Sequence, residues 1–153
     1  MDSGQIQTIE LLAQNEEVLV ELYKLYSQQY PEYKDFWQSI SDDEAQHAQW
    51  LRALIGQINS GTLSFNPDRF NQQNVFDFLQ HGRQSLERAR QAISPIKDTL
   101  LLSLKIEKSL IESKFFEAVQ ADALPLREVL ARLAMATELH IAKIEEALLK
   151  VNE

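Results

Sequence analysis

The feature that most constrains this chain is a spacing of three and four residues between apolar side chains, repeated over four long segments. In the first segment the apolar positions are Ile9, Leu12, Leu19, Tyr23, Tyr26 and Tyr30. This spacing places such side chains on one face of an α-helix. The same pattern returns over residues 36–58, 100–118 and 126–151. The sequence therefore predicts an all-α protein with four long helices.

Prolines and glycines mark where these helices end. Pro31 separates the first helix from the second, and Pro125 stands between the third and the fourth. Residues 59–72 read as a crossover loop and residues 75–93 as a short connecting helix. We therefore expect a single domain, an antiparallel four-helix bundle whose helices 2 and 3 are joined by a long crossover carrying a short extra helix.

Composition limits the classes of function. The 153-residue chain has no cysteine, which excludes disulfides, zinc–thiolate sites, iron–sulfur clusters and cysteine nucleophiles. Its formal charge of −8 argues against nucleic acid and anionic membrane surfaces as partners. Because there is no long apolar run and the N-terminus does not resemble a signal peptide, a cytoplasmic location is expected.

Charged side chains interrupt each apolar stripe where apolar ones are expected. They are Glu16 in the first segment, Glu44 and His47 in the second, Glu107 in the third and His140 in the fourth. The halves of the chain also repeat: 91 residues separate Glu16 from Glu107, and 93 separate His47 from His140. The interruptions are therefore expected at one level of the bundle.

A buried, unpaired carboxylate costs several kcal/mol, so such a group of side chains needs positive charge between its members. A metal ion supplies it, and carboxylate oxygen with imidazole nitrogen suits iron, manganese or zinc. Glu44 and His47 are three residues apart, which puts both on one helix face. The residues alone thus point to a metal site.

This set of a Glu on helix 1, Glu-x-x-His on helix 2, a Glu on helix 3 and a His on helix 4 resembles the ferritin-like superfamily, and within it rubrerythrin and its relatives. The resemblance covers nearly the whole chain. It implies two irons held between the helices and an oxidoreductase or peroxidase reaction with oxygen or peroxide. It implies that Glu16, Glu44 and Glu107 are carboxylate ligands and that His47 and His140 are imidazole ligands, with Glu44 or Glu107 bridging the metals.

The resemblance also assigns surrounding residues. Tyr23 matches a tyrosine that commonly hydrogen-bonds such a site, whereas Thr137 stands where the second Glu-x-x-His should have its glutamate. Lys114, on the inward stripe, could supply positive charge to the carboxylates. The cysteine-rich iron module of full rubrerythrins is missing, so electrons would come from an external donor protein or a small reductant. No catalytic residue separate from the metal ligands is implied.

Several alternatives stay open at this point. If threonine at position 137, in place of a glutamate ligand, prevents binding of a second metal ion, the site holds one ion and not two. The chain could be an iron-binding protein for sequestration with little turnover. It could also be a metal-free scaffold with an eroded site, in which Lys114 and water satisfy the carboxylates. By analogy, a homodimer is expected. Packing, not electron transfer, is expected for the aromatic side chains Tyr23, Tyr26, Tyr30, Trp37 and Trp50.

Overall fold

The protein is all-α. A computed structural model describes residues 2–112 and 123–152, and in that part of the chain there is no β-strand. The helices are α1 (Asp2–Gln29), α2 (Lys34–Asn59), α3 (Gln72–Gln91), α4 (Ile96–Glu112) and α5 (Leu124–Val151). None of these helices, as far as the structure describes them, has a stretch apolar enough to cross a membrane.

The breaks between α1, α2 and α3 lie close to where the sequence predicts them, whereas Pro125, predicted to separate the third and fourth long helices, lies in the first turn of α5. A 3-10 turn, Pro31–Tyr33, separates α1 from α2, because proline has no N–H to continue the helix. The loop after α2 contains a second 3-10 turn, Pro67–Arg69. The crossover helix α3 begins before the predicted residue 75, because the Asn71 side chain accepts a hydrogen bond from the Asn74 N–H and caps the helix. The sequence predicts that the third helix ends near residues 122–124, before Pro125; residues 113–122 lie outside the described part of the chain, and α5 already begins at Leu124.

Helix α1 lies between α2 and α3, while α5 packs against α4 and α2. The contact between α1 and α3 is close at Gly82, where an added Cβ would lie 3.1 Å from Val18 Cγ1. Near one end of this contact, Gln29 Nε2 donates to the Ala89 carbonyl at 2.6 Å. Glycine at position 82 therefore lets the crossover helix approach α1.

The predicted stripes of α1, α2 and α5 form most of the core. At the ends of the stripes Tyr30, Phe36 and Val151 are only half-buried. The buried face of α4 differs from the prediction. It consists of Thr99, Leu100, Ser103, Glu107 and Leu110. Leu104 and Ile111, which the three- and four-residue spacing from Leu100 and Glu107 places on the predicted stripe, are half-buried.

This difference on α4 has a local physical reason. The Ser103 hydroxyl donates to the Thr99 carbonyl at 2.8 Å, so a small polar side chain can be buried without an unpaired group. The apolar pattern alone could not select that face. Two members of the predicted stripe, Lys114 and Ala118, lie outside the described residues.

Candidate metal centre

The five side chains that interrupt the stripes meet in one buried cluster. Each of Glu16, Glu44, His47, Glu107 and His140 is at most 5% exposed. They form two groups, one of Glu16, Glu44 and His47 and the other of Glu44, Glu107 and His140. Within each group, one ligand atom per residue lies within 4.8 Å of the others, so each group could hold a metal ion. Glu44 belongs to both groups.

The distances place Glu44 between the two histidines. Its Oε1 lies 3.4 Å from His47 Nδ1 and 3.3 Å from His140 Nδ1. On the first side, His47 Nδ1 is 3.7 Å from Glu16 Oε2. On the second side, His140 Nδ1 is 3.3 Å from Glu107 Oε1. Each group therefore offers one carboxylate and one imidazole of its own, together with the shared carboxylate.

Three atoms of the cluster have no hydrogen-bond partner in the described part of the chain: Glu16 Oε2, Glu107 Oε2 and His140 Nδ1. Buried polar atoms in proteins are normally paired, and leaving one unpaired costs about 1–3 kcal/mol. Each of the three atoms can donate a lone pair to a cation, and each of the two groups contains at least one of them. The residues present therefore fit a bound metal ion.

The cluster is also strained electrostatically. Burial and the neighbouring Glu16 carboxylate raise the pKa of Glu44 well above its ordinary value. Burial opposes ionisation of Glu16 as well, but the neighbouring Glu44 carboxyl and the His47 imidazole together lower the pKa of Glu16. One carboxyl of this pair thus keeps its proton when no other cation is near. A metal ion can take the place of that proton.

Tyr23 contacts the cluster at Glu107. Its hydroxyl donates to Glu107 Oε1 at 3.0 Å. Burial and the Glu107 carboxylate raise the pKa of Tyr23, so the phenol keeps its proton. The predicted contact of Tyr23 with the site is present, and it fixes one oxygen of Glu107.

The sequence interpretation missed Asp43. His140 Nε2 lies 2.9 Å from Asp43 Oδ2, and the Asp43 side chain is 55% exposed. With Nε2–H donating to this carboxylate, Nδ1 keeps its lone pair for the cluster. Asp43 was overlooked because it lies off the apolar stripe. The available signal was a carboxylate directly before Glu44.

Thr137 is buried, and its hydroxyl donates to the Leu133 carbonyl at 2.7 Å. It therefore adds no negative charge to the cluster. Lys114 lies outside the described residues, so its contribution stays a prediction. His81, Glu21 and Glu112 are exposed and lie outside both groups of the cluster.

Comparison of the chain with models of protein families, with curated proteins and with solved structures gives no match. The chemistry of this site is therefore argued from the positions of Glu16, Glu44, His47, Glu107 and His140. Membership of the ferritin-like superfamily stays a prediction from the sequence.

Proposed function

We propose that this chain is a rubrerythrin-like di-metal carboxylate protein, an oxidoreductase that uses two iron ions to act on oxygen or peroxide. In this proposal α1, α2, α4 and α5 are the helices of a ferritin-like four-helix bundle, and α3 is its crossover helix. One observation carries the proposal: Glu44 belongs to both ligand groups. A shared carboxylate sets two cations side by side, which is the arrangement of a di-metal site.

The donor set supports the choice of metal. It combines carboxylate oxygen with imidazole nitrogen and has no sulfur, which suits iron, manganese or zinc. Zinc has no redox chemistry, so only iron or manganese would serve an oxidoreductase. A bound pair of iron ions would supply electron exchange with oxygen or peroxide, and an external donor would return the electrons.

The chain's own residues hold and shield such a pair. Asp43 orients His140, and Tyr23 orients Glu107, through the hydrogen bonds described above. Because all five ligands are buried, water is largely excluded, and attraction between the carboxylates and the cations is stronger than at the surface. The same burial restricts direct access to molecules as small as oxygen or peroxide.

That burial also favours a second candidate, iron sequestration with little turnover. An ion enclosed by ligands that are 5% exposed or less is shielded from exchange with solvent. In this case the protein would take up iron and consume no peroxide beyond the oxidation of that iron.

The test is the metal content per chain, measured by elemental analysis on protein purified from iron-supplemented cells without chelator. About two irons per chain, with sustained peroxide consumption in the presence of a reductant, is the expected result. Two irons without sustained consumption would favour sequestration. One iron per chain would mean that threonine at position 137 prevents binding of the second iron ion. No iron, even after anaerobic reconstitution with ferrous iron, would overturn the proposal and leave the metal-free scaffold.

A further inference from the structure

Helix α5 carries large apolar side chains on the face that is turned away from the bundle. Met135, Leu139 and Leu149 are 66%, 65% and 68% exposed. Apolar residues scattered singly over a surface are ordinary, whereas a contiguous set of them marks an interaction site. The exposed apolar residues of this face, which we call the α5 stripe, are Leu124, Ala131, Met135, Leu139, Ala142 and Leu149.

The α5 stripe has the spacing of a helix that pairs with another helix. Met135, Ala142 and Leu149 follow one another at intervals of seven residues, and Leu139 lies four residues after Met135. In the seven-residue notation of coiled coils, abcdefg, the first three stand at position d and Leu139 stands at position a. The opposite face of α5 is buried in the bundle, so the stripe is a second apolar face that the bundle does not cover.

Charged residues of opposite sign flank the two sides of the stripe. Lys143 and Lys150 stand at position e on one side, and Glu138 and Glu145 stand at position g on the other. All four are exposed. Three of them have a contact within the chain, Lys143 with Ser39, Glu145 with Lys108 and Lys150 with Glu146. Exposed pairs of this kind contribute about 0.2–1 kcal/mol each, and an ammonium or a carboxylate can bind a further partner.

The signs of these charges select one orientation for a partner helix. In a parallel pair, position g of one helix faces position e of the next heptad of the other helix, so Glu138 faces a lysine and so does Glu145. In an antiparallel pair the e positions would face each other, and so would the g positions, which sets lysine against lysine and glutamate against glutamate. A parallel pair about a twofold axis brings the same surface of two identical chains together, and twofold dimers are the commonest oligomers. The α5 stripe is therefore complementary to a second copy of itself.

We propose that a second copy of this chain covers the α5 stripe in a parallel α5–α5 contact about a twofold axis. A homodimer was expected by analogy alone, and the α5 stripe gives that dimer a surface and an orientation. The proposal goes beyond the proposed function and holds whether or not the buried cluster binds metal. Because Arg132 and Glu146 interrupt the stripe, the apolar contact is short, and we expect the dimer to dissociate on dilution.

A single introduced cysteine tests the contact directly, since the chain has no cysteine of its own. In the parallel pair position 149 of one copy lies opposite position 149 of the other, and a disulfide needs Cα atoms within about 7 Å. Leu149→Cys should therefore form a disulfide-linked dimer under a mild oxidant, seen on a non-reducing gel. Ile93→Cys is the matched control, because Ile93 is 65% exposed but lies outside the stripe. It should cross-link at least about tenfold more slowly.

Sedimentation equilibrium measures the dimer itself. At about 100 µM the wild-type protein should have twice the mass of one chain. Met135→Glu and Leu149→Glu should each weaken the dimer by at least about a hundredfold, because each places two charges in the contact, one from each copy. Both positions face solvent in the single chain, so neither variant should unfold, and circular dichroism checks this.

An exchange of charges tests the flanks of the stripe. One double variant carries Lys143→Glu and Lys150→Glu, and the other carries Glu138→Lys and Glu145→Lys. Each alone should be mainly monomeric, because like charges then face each other along both flanks of the contact. A mixture of the two should form a dimer with one chain of each kind, because every facing pair again has opposite charges.

A wild-type protein that is monomeric at this concentration would overturn the proposal. A dimer that neither Met135→Glu nor Leu149→Glu weakens would overturn it too, because its interface would lie elsewhere. Cross-linking of Ile93→Cys as fast as that of Leu149→Cys, or exchanged-charge variants that do not pair on mixing, would contradict the parallel α5–α5 contact. Metal content enters none of these outcomes, so failure of the proposed function is measured separately.

Discussion

Two groups of carboxylates join α1 to α2, and their charges are balanced in different ways. The outer group is Glu10 and Glu17, both bound by Arg52 of α2. The Arg52 guanidinium makes hydrogen bonds of 2.9 and 3.0 Å to Glu10 and of 2.6 and 2.8 Å to Glu17. The inner group is Glu16 and Glu44. Among the described residues no lysine or arginine forms an ion pair with either of them.

The pKa of Glu44 in the inner group therefore shifts in the opposite direction to that of Glu10 in the outer group, while the pKa of Glu16 is lowered like that of Glu10. The hydrogen bond from Arg52 lowers the pKa of Glu10, whereas burial raises the pKa of Glu44. At the surface a fixed guanidinium and water stabilise the charge. In the interior the raised pKa values of Glu44 and His140 favour their protonated forms, and such a proton can be exchanged for a metal ion. The difference teaches that the inner group is suited to an exchangeable cation.

The largest effect is expected from Glu44→Gln, which breaks the inner group at its shared member. The variant should fold, because glutamine resembles the protonated carboxyl that Glu44 keeps in the metal-free protein. It should lose most of the bound metal, measured by elemental analysis with circular dichroism as the check on folding. Glu17→Gln in the outer group is the matched control and should keep wild-type metal. Wild-type metal content in Glu44→Gln would show that this carboxylate is not a shared ligand.

A smaller effect is expected from Asp43→Ala, which removes the partner that orients His140. Loss of such a partner typically weakens metal affinity by about 10–100-fold, because the imidazole no longer has a fixed tautomer. A competition titration of Fe²⁺ or Co²⁺ against a chelator measures it. Asp42→Ala is the control, since Asp42 accepts a hydrogen bond from Gln38 on the same helix. Equal metal affinities of the two variants would show that Asp43 does not contribute to metal binding.

The pH dependence of stability should distinguish the groups further. Glu44 and His140 have raised pKa values in the folded protein, so each contributes stability below its unfolded pKa, near 4.5 and 6.5, and loses it as pH rises. Glu16 and Glu10 have lowered pKa values, so each contributes stability above its unfolded pKa, and that contribution is lost only as pH falls below about 4.5. Urea unfolding of metal-free protein should therefore give a free energy of unfolding that falls as pH rises above about 4.5.

Metal-loaded protein should show the opposite trend over the same range, because binding releases the protons that Glu44 and His140 hold. In Glu44→Gln the fall for metal-free protein should become smaller. A slope unchanged by this substitution would mean that the titration of another residue controls it.

The smallest effect is expected from Arg52→Met, which breaks the outer group. Its ion pairs are about 40% exposed, and exposed pairs contribute about 0.2–1 kcal/mol each. We expect a loss of about 1 kcal/mol in the free energy of unfolding and no change in metal content. Loss of metal in this variant would show that the two groups are coupled through α1 and α2.

Helical periodicity predicted much of this arrangement and left some of it out. Glu16, Glu44 and His140 were identified because they occupy buried positions of regular stripes, and burial of a charge needs a reason. The stripe of α4 was harder to place, since hydroxyl groups at Thr99 and Ser103 share its buried face with Leu100. Asp43 could not be found in this way, because its contact with His140 depends on how closely α2 approaches α5.

The position of Glu44 has a consequence for how the chain unfolds. Glu44 and His47 come from the first half of the sequence, while Glu107 and His140 come from the second half, so ions bound between them would be non-covalent cross-links between the halves. Separating α2 from α4 and α5 would then require an ion to dissociate first. Unfolding of the loaded protein would be limited by that dissociation, and its lifetime would depend on metal availability.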